Sequence, residues 1–439
     1  MFTILASALI VAAAPPPLDA VPQTRLDPDV RCLLGAYALA PNRFLTITGA
    51  GGETRDLEYT LSNGQFGKLE ERANGVYAAK TFTVHFEPCS TGKLTLEQGN
   101  IVEKGVNLGL IQKETSFTSD GVNLHGKLVL PRNGRAKLAA VWIEGSGNSP
   151  STDDTVWQFE LARRGIATFV YDKRGTGASD GALNSDFHVR ARDTAAAVGE
   201  VRRLAPKIQR VGVIGGSQGG WIAPLTATKT RLDFVISAFG MAEGPIAQDR
   251  ALIELQLRQA GFGEDALAES RQLTTITERI VRSNMREGFS ELETFKARYA
   301  EAAWIKAVQP RSYTGLFLAF PTEVIKLNGP SMAQGLTFDY EPRPIVEAIT
   351  PRQLWLLAGS DQQAPNKGTQ TILRQLQRKR RDISVVIFPK ADHGMVEEVQ
   401  TAAGTVTAYS ERLFDVTADW IKEKAFPEKG RFIVMPTSN

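Results

Sequence analysis

Residues 211–221 read VGVIGGSQGGW, an apolar run that ends in four glycines around one serine and one glutamine, and Gly215, Ser217 and Gly219 satisfy G-x-S-x-G. Alone that pattern is weak, because a glycine-rich chain produces it by chance. Its setting carries the chemistry: the motif closes a buried-type strand and opens a helix, the sharp turn that lifts a nucleophilic hydroxyl above a sheet. Gly215 and Gly219 are expected to flank that turn, Gly216 to clear the approach to the serine, and Gly220 to let the helix pack close. A serine hydroxyl attacks a carbonyl near neutral pH only when a base takes its proton, so a histidine and an acid must follow. Of the four histidines, His85 and His125 sit in alternating runs that read as packed or surface strand positions, and His188 opens a helix. His393, in FPKADHGM, stands instead in a loop just after an apolar strand. Asp361, in LWLLAGSDQQAP, ends the preceding strand, where a carboxylate accepts the second imidazole N–H and fixes the tautomer. Asp392 beside His393 is the competing acid, although neighbouring side chains in a loop usually diverge. Singly these are a glycine-turn serine, a strand-end aspartate and a loop histidine; together, in this order, they predict acyl transfer through Ser217.

Such a reaction also needs N–H donors for the oxyanion. The backbone N–H of Gln218, directly after the nucleophile, is one candidate. The other is the N–H of Ser146 in IEGSGNSP (143–150), a loop that follows the first parallel-type strand. A second glycine loop, YDKRGTGASDG at 171–181, reads as a structural floor pinned by Arg174, with a phosphate-binding loop as the weaker alternative.

The elements that must position these residues alternate. Apolar strands are expected at 137–144, 166–172, 210–215, 233–239, 353–359 and 383–389, with helical patterns at 153–164, 187–204, 218–227 and 366–380 between them. Continuous apolar strands between amphipathic helices imply an α/β fold with a mostly parallel central sheet covered on both faces. Its ligand belongs beyond the carboxyl ends of the strands. The core is expected in two parts, 115–242 and 346–426, beginning with a β-hairpin in KETSFTSDGVNLHGKLVLP and leaving a tail at 427–439. Between the parts, 243–345 shows helix-like stretches and no clear strand, which predicts a helical cap insertion whose RSYTGLFLAFP segment reads as pocket lining or ordinary helix core. Residues 26–110 alternate in short runs broken by glycine and asparagine, a small N-terminal β domain.

Composition excludes other classes. In 439 residues, 51 basic and 48 acidic side chains leave a net charge of +3, which gives nucleic acid no field to bind. The basic knot RKRR at 378–381 reads as a solvated helix end. The start MFTILASALIVAAA resembles a secretory signal, expected with its linker over 1–20 and followed by export; its apolar stretch, Phe2 to Ala14, is shorter than the roughly 20 residues of a bilayer span. In an oxidising compartment the two cysteines, Cys32 and Cys89, are most simply a disulfide, the alternative being two buried thiols. Two cysteines and four scattered histidines argue against structural zinc.

The series EGSG, DKRGTGAS, GGSQGG, AGSDQQAP and ADHGM resembles the α/β-hydrolase superfamily, in particular bacterial serine esterases and acyl hydrolases of the acyl-peptidase and dienelactone hydrolase branches, over about residues 120–425. The resemblance implies an acyl-enzyme on Ser217, a cap that shapes the pocket, a small-molecule acyl ester as substrate and no metal or organic cofactor. Where many relatives carry histidine before the oxyanion-loop glycine this chain has Glu144, to which no role carries over. The rival expectations are a serine peptidase or amidase of the same superfamily and a non-catalytic binding protein on this scaffold. An N-terminal β domain of this length is too short for the propeller of some peptidases in the superfamily.

Overall fold

The computed structural model describes residues 25–436 except 52–53, 333–334, 380–381, 402–403 and 428–429. The secretory segment and linker expected over 1–20 lie outside the described residues.

Among those residues the N-terminal alternation closes on itself as an eight-stranded barrel. Its strands are β1 (Gly35–Ala40), β2 (Arg43–Gly49), β3 (Leu57–Leu61), β4 (Phe66–Ala73), β5 (Val76–Ala78), β6 (Thr83–Phe86), β7 (Lys93–Gln98) and β8 (Ile101–Asn107). Period-two apolar positions such as Leu45 and Ile47 or Leu94 and Leu96 point inward and are buried. Antiparallel pairing of Tyr37 with Asn107 and Ala38 with Val106 completes the ring. Alternation predicts strands but not closure, which rests on this single long-range pairing. Cys32 and Cys89 form a disulfide, with Cα atoms 5.9 Å apart.

The second sheet begins with the expected hairpin, β9 (Ile111–Ser119) and β10 (Val122–Leu130), and continues through β11 (Leu138–Ile143), β12 (Ala167–Tyr171), β13 (Arg210–Gly216), β14 (Phe234–Ala238), β15 (Arg352–Ala358) and β16 (Ile383–Phe388). In space its order is β9, β10, β12, β11, β13, β14, β15, β16, with parallel pairing from β12 through β16. β10 runs antiparallel to β12. Apolar clusters cover both faces, one including Val141, Phe169 and Val213, the other Trp142, Val170 and Ile214.

Two expectations are corrected. The helix expected over 153–164 is two short helices, Ser151–Asp154 and Trp157–Ala162, because Thr155 is extended (φ −80°, ψ 124°). The second helix then splits its faces, Leu161 joining the core of the sheet while Phe159 and Ala162 join that of the barrel. Within the second part of the core, residues 396–409 form a two-stranded hairpin of β17 (Val396–Thr401) and β18 (Gly404–Tyr409) that pairs outside the central sheet. The expected tail supplies a short edge strand, β19 (Ile433–Val434), antiparallel to β16. Two residues are too few to show a period.

Helices from Pro245–Gln259 to Pro342–Ala348 fill the insertion between β14 and β15. The helix Tyr313–Ala319, within RSYTGLFLAFP, buries Tyr313 and Phe317 in the apolar cluster of the insertion itself, so ordinary helix core accounts for it.

Candidate active site

Ser217 sits between β13 and the helix Gly219–Thr226 with φ 53°, a left-handed conformation costly for a residue with a Cβ. The turn is held by its own N–H donating to Ala238 O at 3.0 Å. The glycines are steric necessities of that turn. A Cβ at Gly215 would come 1.9 Å from the Gly219 carbonyl oxygen, and one at Gly219 2.3 Å from that of Ile143. At Gly216 the obstacle is not the approach to the serine but the Trp142 and Phe239 rings, each 2.8 Å from a Cβ placed there. Gly220 faces Gly240, where either Cβ would meet the other's Cα within 3 Å.

Beyond the C-terminal ends of β15 and β16 the loops bring Asp361 and His393 to Ser217. The Ser217 hydroxyl donates to His393 Nε2 at 2.9 Å, and Nδ1–H donates to Asp361 Oδ1 and Oδ2 at 3.1 and 3.0 Å. A carboxylate only accepts, which assigns the proton to Nδ1 and leaves Nε2 as the acceptor facing the serine. Asp361 is buried, and its Oδ1 also accepts from the N–H groups of Gln363 (2.8 Å) and Ala364 (2.7 Å). Phe239 packs T-shaped on the imidazole, with the ring centres 5.2 Å apart. Asp392 turns elsewhere: its Oδ1 accepts from the N–H of Gln362 (2.8 Å) and of His393 (2.7 Å), bracing the two loops together. His85 and His125 lie on β6 and β10, and His188 lies in the first turn of the helix Phe187–Leu204.

The loop after β11 lies against the serine. A Cβ on Gly145 would stand 3.4 Å from Ser217 Cβ and 3.9 Å from Oγ. Among the described residues, neither the Ser146 nor the Gln218 N–H has a backbone or side-chain acceptor. Glu144 has acquired partners the sequence did not suggest: its carboxylate accepts from Trp142 Nε1 (3.0 Å), Ser151 Oγ (3.0 Å) and Gly145 N (3.1 Å). Burial pushes this carboxyl up, but Lys173 and those donors outweigh it and hold it below its ordinary value.

Arg174, expected to pin the 171–181 loop, pairs with Asp193 at 2.6 and 2.8 Å and donates to Ser119 O at 3.0 Å. Its neighbour Lys173, and Arg190 on the following helix, were not anticipated. Both are buried behind the 144–147 loop. The helix of Arg190 did carry a signal, since Phe187, Arg190, Ala191, Thr194 and Val198 share the stripe it buries.

The insertion hooks onto the acid loop through Gln248 Nε2 to Gln363 O (2.9 Å) and Gln259 Nε2 to Gln362 Oε1 (2.8 Å). It also grips the helix after Ser217, with Tyr340 Oη donating to Trp221 O at 3.1 Å.

Residues 140–406 match the model of the alpha/beta hydrolase family, more than half of the chain. The chain belongs to the alpha/beta hydrolase family. Solved structures similar to this hydrolase-family protein include a Pyrococcus furiosus esterase, 14% identical over 65% of this chain and 84% of the other with a TM-score of 0.41. Brefeldin A esterase, a bacterial homologue of human hormone sensitive lipase, is 18% identical over 65% of this chain and 70% of its own, with a TM-score of 0.40. The Pyrococcus horikoshii acylaminoacyl peptidase is 14% identical over 82% of this chain and 51% of its own, with a TM-score of 0.41. No curated protein matches the chain. Among the described residues no helix is long and apolar enough to cross a membrane.

Proposed function

We propose that this alpha/beta hydrolase cleaves carboxylic esters of small molecules through an acyl-enzyme on Ser217. The observation that carries the reading is the continuous relay from Ser217 Oγ through His393 to Asp361, with contacts of 2.9, 3.0 and 3.1 Å, on a serine held at φ 53°. In this mechanism Oγ attacks the ester carbonyl while Nε2 takes its proton, and Asp361 stabilises the imidazolium that forms. The carbonyl oxygen, now an oxyanion, accepts from the N–H groups of Ser146 and Gln218. Collapse expels the alcohol, which leaves with the proton from Nε2. A water then donates its proton to Nε2 as its oxygen attacks the acyl carbonyl; the second tetrahedral adduct releases the carboxylic acid and returns the proton to Oγ.

The insertion over 243–345, anchored to the acid loop, is the element proposed to shape the acyl or alcohol pocket. The Cys32–Cys89 disulfide supports an oxidising, exported location. A panel of p-nitrophenyl esters graded by acyl length, run beside a matched p-nitroanilide, tests the substrate class. Ester hydrolysis with a defined length optimum is expected. Turnover of the anilide alone would make the protein an amidase, and turnover of neither by folded protein would leave a binding protein on a hydrolase scaffold.

A further inference from the structure

Two buried basic side chains, Lys173 and Arg190, sit directly behind the loop that faces Ser217, and among the described residues neither is hydrogen-bonded to the relay. Lys173 Nζ donates to the carbonyl oxygens of Gly145, at 3.1 Å, and of Gly147. Arg190 Nη1 donates to the same Gly145 oxygen, also at 3.1 Å, and to Gln218 Oε1, while its Nη2 donates to Glu144 O. The carbonyls of Glu144, Gly145 and Gly147 are thus all drawn to one side of the loop. In a trans peptide the C=O and the following N–H point in opposite directions, and the described residues contain no cis bond. Drawing the Gly145 oxygen toward Lys173 and Arg190 therefore turns the Ser146 N–H away from them. Arg190 does more than Lys173, because one rigid guanidinium holds both the 144–145 backbone and the side chain of Gln218, the two segments whose N–H groups are the candidate oxyanion donors.

We propose that Arg190 and Lys173 are positioning residues that fix the aim of the Ser146 N–H and its spacing from the Gln218 N–H, so that both donors meet the oxyanion formed on Ser217. The inference rests on the reading of Ser217 as nucleophile. Its energetics fit a device rather than plain packing. Burial, reinforced by Arg190 and opposed by Glu144, pushes the Lys173 amine down to about 7. An apolar side chain would fill this space without that desolvation cost. What the two side chains add is donors for the carbonyl oxygens of Glu144, Gly145 and Gly147.

The test compares Lys173→Met and Arg190→Lys with wild type in the full chain. Three readouts are taken: kcat and KM for a p-nitrophenyl ester, inhibition by a trifluoromethyl ketone that forms a tetrahedral oxyanion adduct, and thermal unfolding. A misaimed oxyanion donor should lower kcat about 10²-fold and weaken the ketone by a similar factor, with KM changed by less than about threefold. Arg190→Lys keeps the charge but cannot span three acceptors, so it should show the same pattern even if Lys173→Met fails to fold. Folded variants with wild-type kcat, or a loss of kcat with unchanged ketone inhibition, overturn the inference. If wild type itself neither turns over esters nor reacts with a fluorophosphonate, the reading of Ser217 fails and the positioning role falls with it.

Discussion

Ser217 holds a left-handed φ of 53° in a turn whose flanking glycines leave no room for a Cβ. Gly219→Ala should cost about 3 kcal/mol or more, since its Cβ would press a backbone carbonyl that has no room to yield. Gly147→Ala, where no atom lies within 4 Å, should stay within about 0.5 kcal/mol of wild type. Urea unfolding of the two variants side by side checks the contrast. A second residue-scale prediction concerns Asp154, whose Oδ2 is buried without a partner and whose carboxyl is pushed up to about 8 by burial and the nearby Asp153, Glu144, Asp172 and Glu58. A folded value raised above the unfolded one means the native state holds a proton the unfolded chain has released between about pH 4 and 8. Stability from this group therefore falls as pH rises through that window. Asp154→Asn should gain about 1–3 kcal/mol at pH 8 and much less at pH 5, read from the urea midpoints. Ser217, Asp361 and His393 were legible as candidates because each follows a strand that the apolar pattern already marks. Lys173 and Arg190 were not, because a basic side chain in a loop or on a helix reads as solvated until the fold shows what it is buried against.

At the scale of elements, the hairpin β17–β18 joins the N-terminal barrel to the segment that carries His393. It begins three residues after His393, and the barrel clamps its far strand: Tyr409 N donates to Gly64 O at 2.9 Å, and Phe66 stacks on Tyr409 at 4.6 Å. The helix Trp157–Ala162 makes the second joint, with Glu160 accepting from Thr46 Oγ1 at 2.7 Å. The Cys32–Cys89 bridge closes a loop of 57 residues within the barrel region. Replacing both cysteines with alanine should destabilise that region by about 4 kcal/mol in the chain-entropy view. Guanidinium unfolding of the variant, followed by fluorescence and by esterase activity in parallel, measures this and shows whether the site melts with the barrel. The alternating strands here were legible, as was the bridge as the simplest pairing. The joints were not, because a stack such as Phe66 on Tyr409 spans a sequence separation that no local period encodes.

For the whole molecule, the sheet with its insertion stood out in sequence because continuous apolar strands between helices admit few other arrangements, whereas barrel closure, the separate hairpin and the two-residue edge strand hang on long-range pairings. The barrel touches the hairpin that follows His393 and the insertion touches the loop of Asp361, from different parts of the chain, and the chemistry proposed for Ser217 depends on a single hydroxyl. Reaction with a fluorophosphonate probe, with the adduct located by peptide mass spectrometry, tests that dependence most directly. One adduct per chain is expected, on Ser217, with Ser217→Ala unlabelled and its ester turnover reduced on the order of 10⁶-fold. Folded wild-type protein that takes no label, or a Ser217→Ala variant that labels as wild type does, would contradict it.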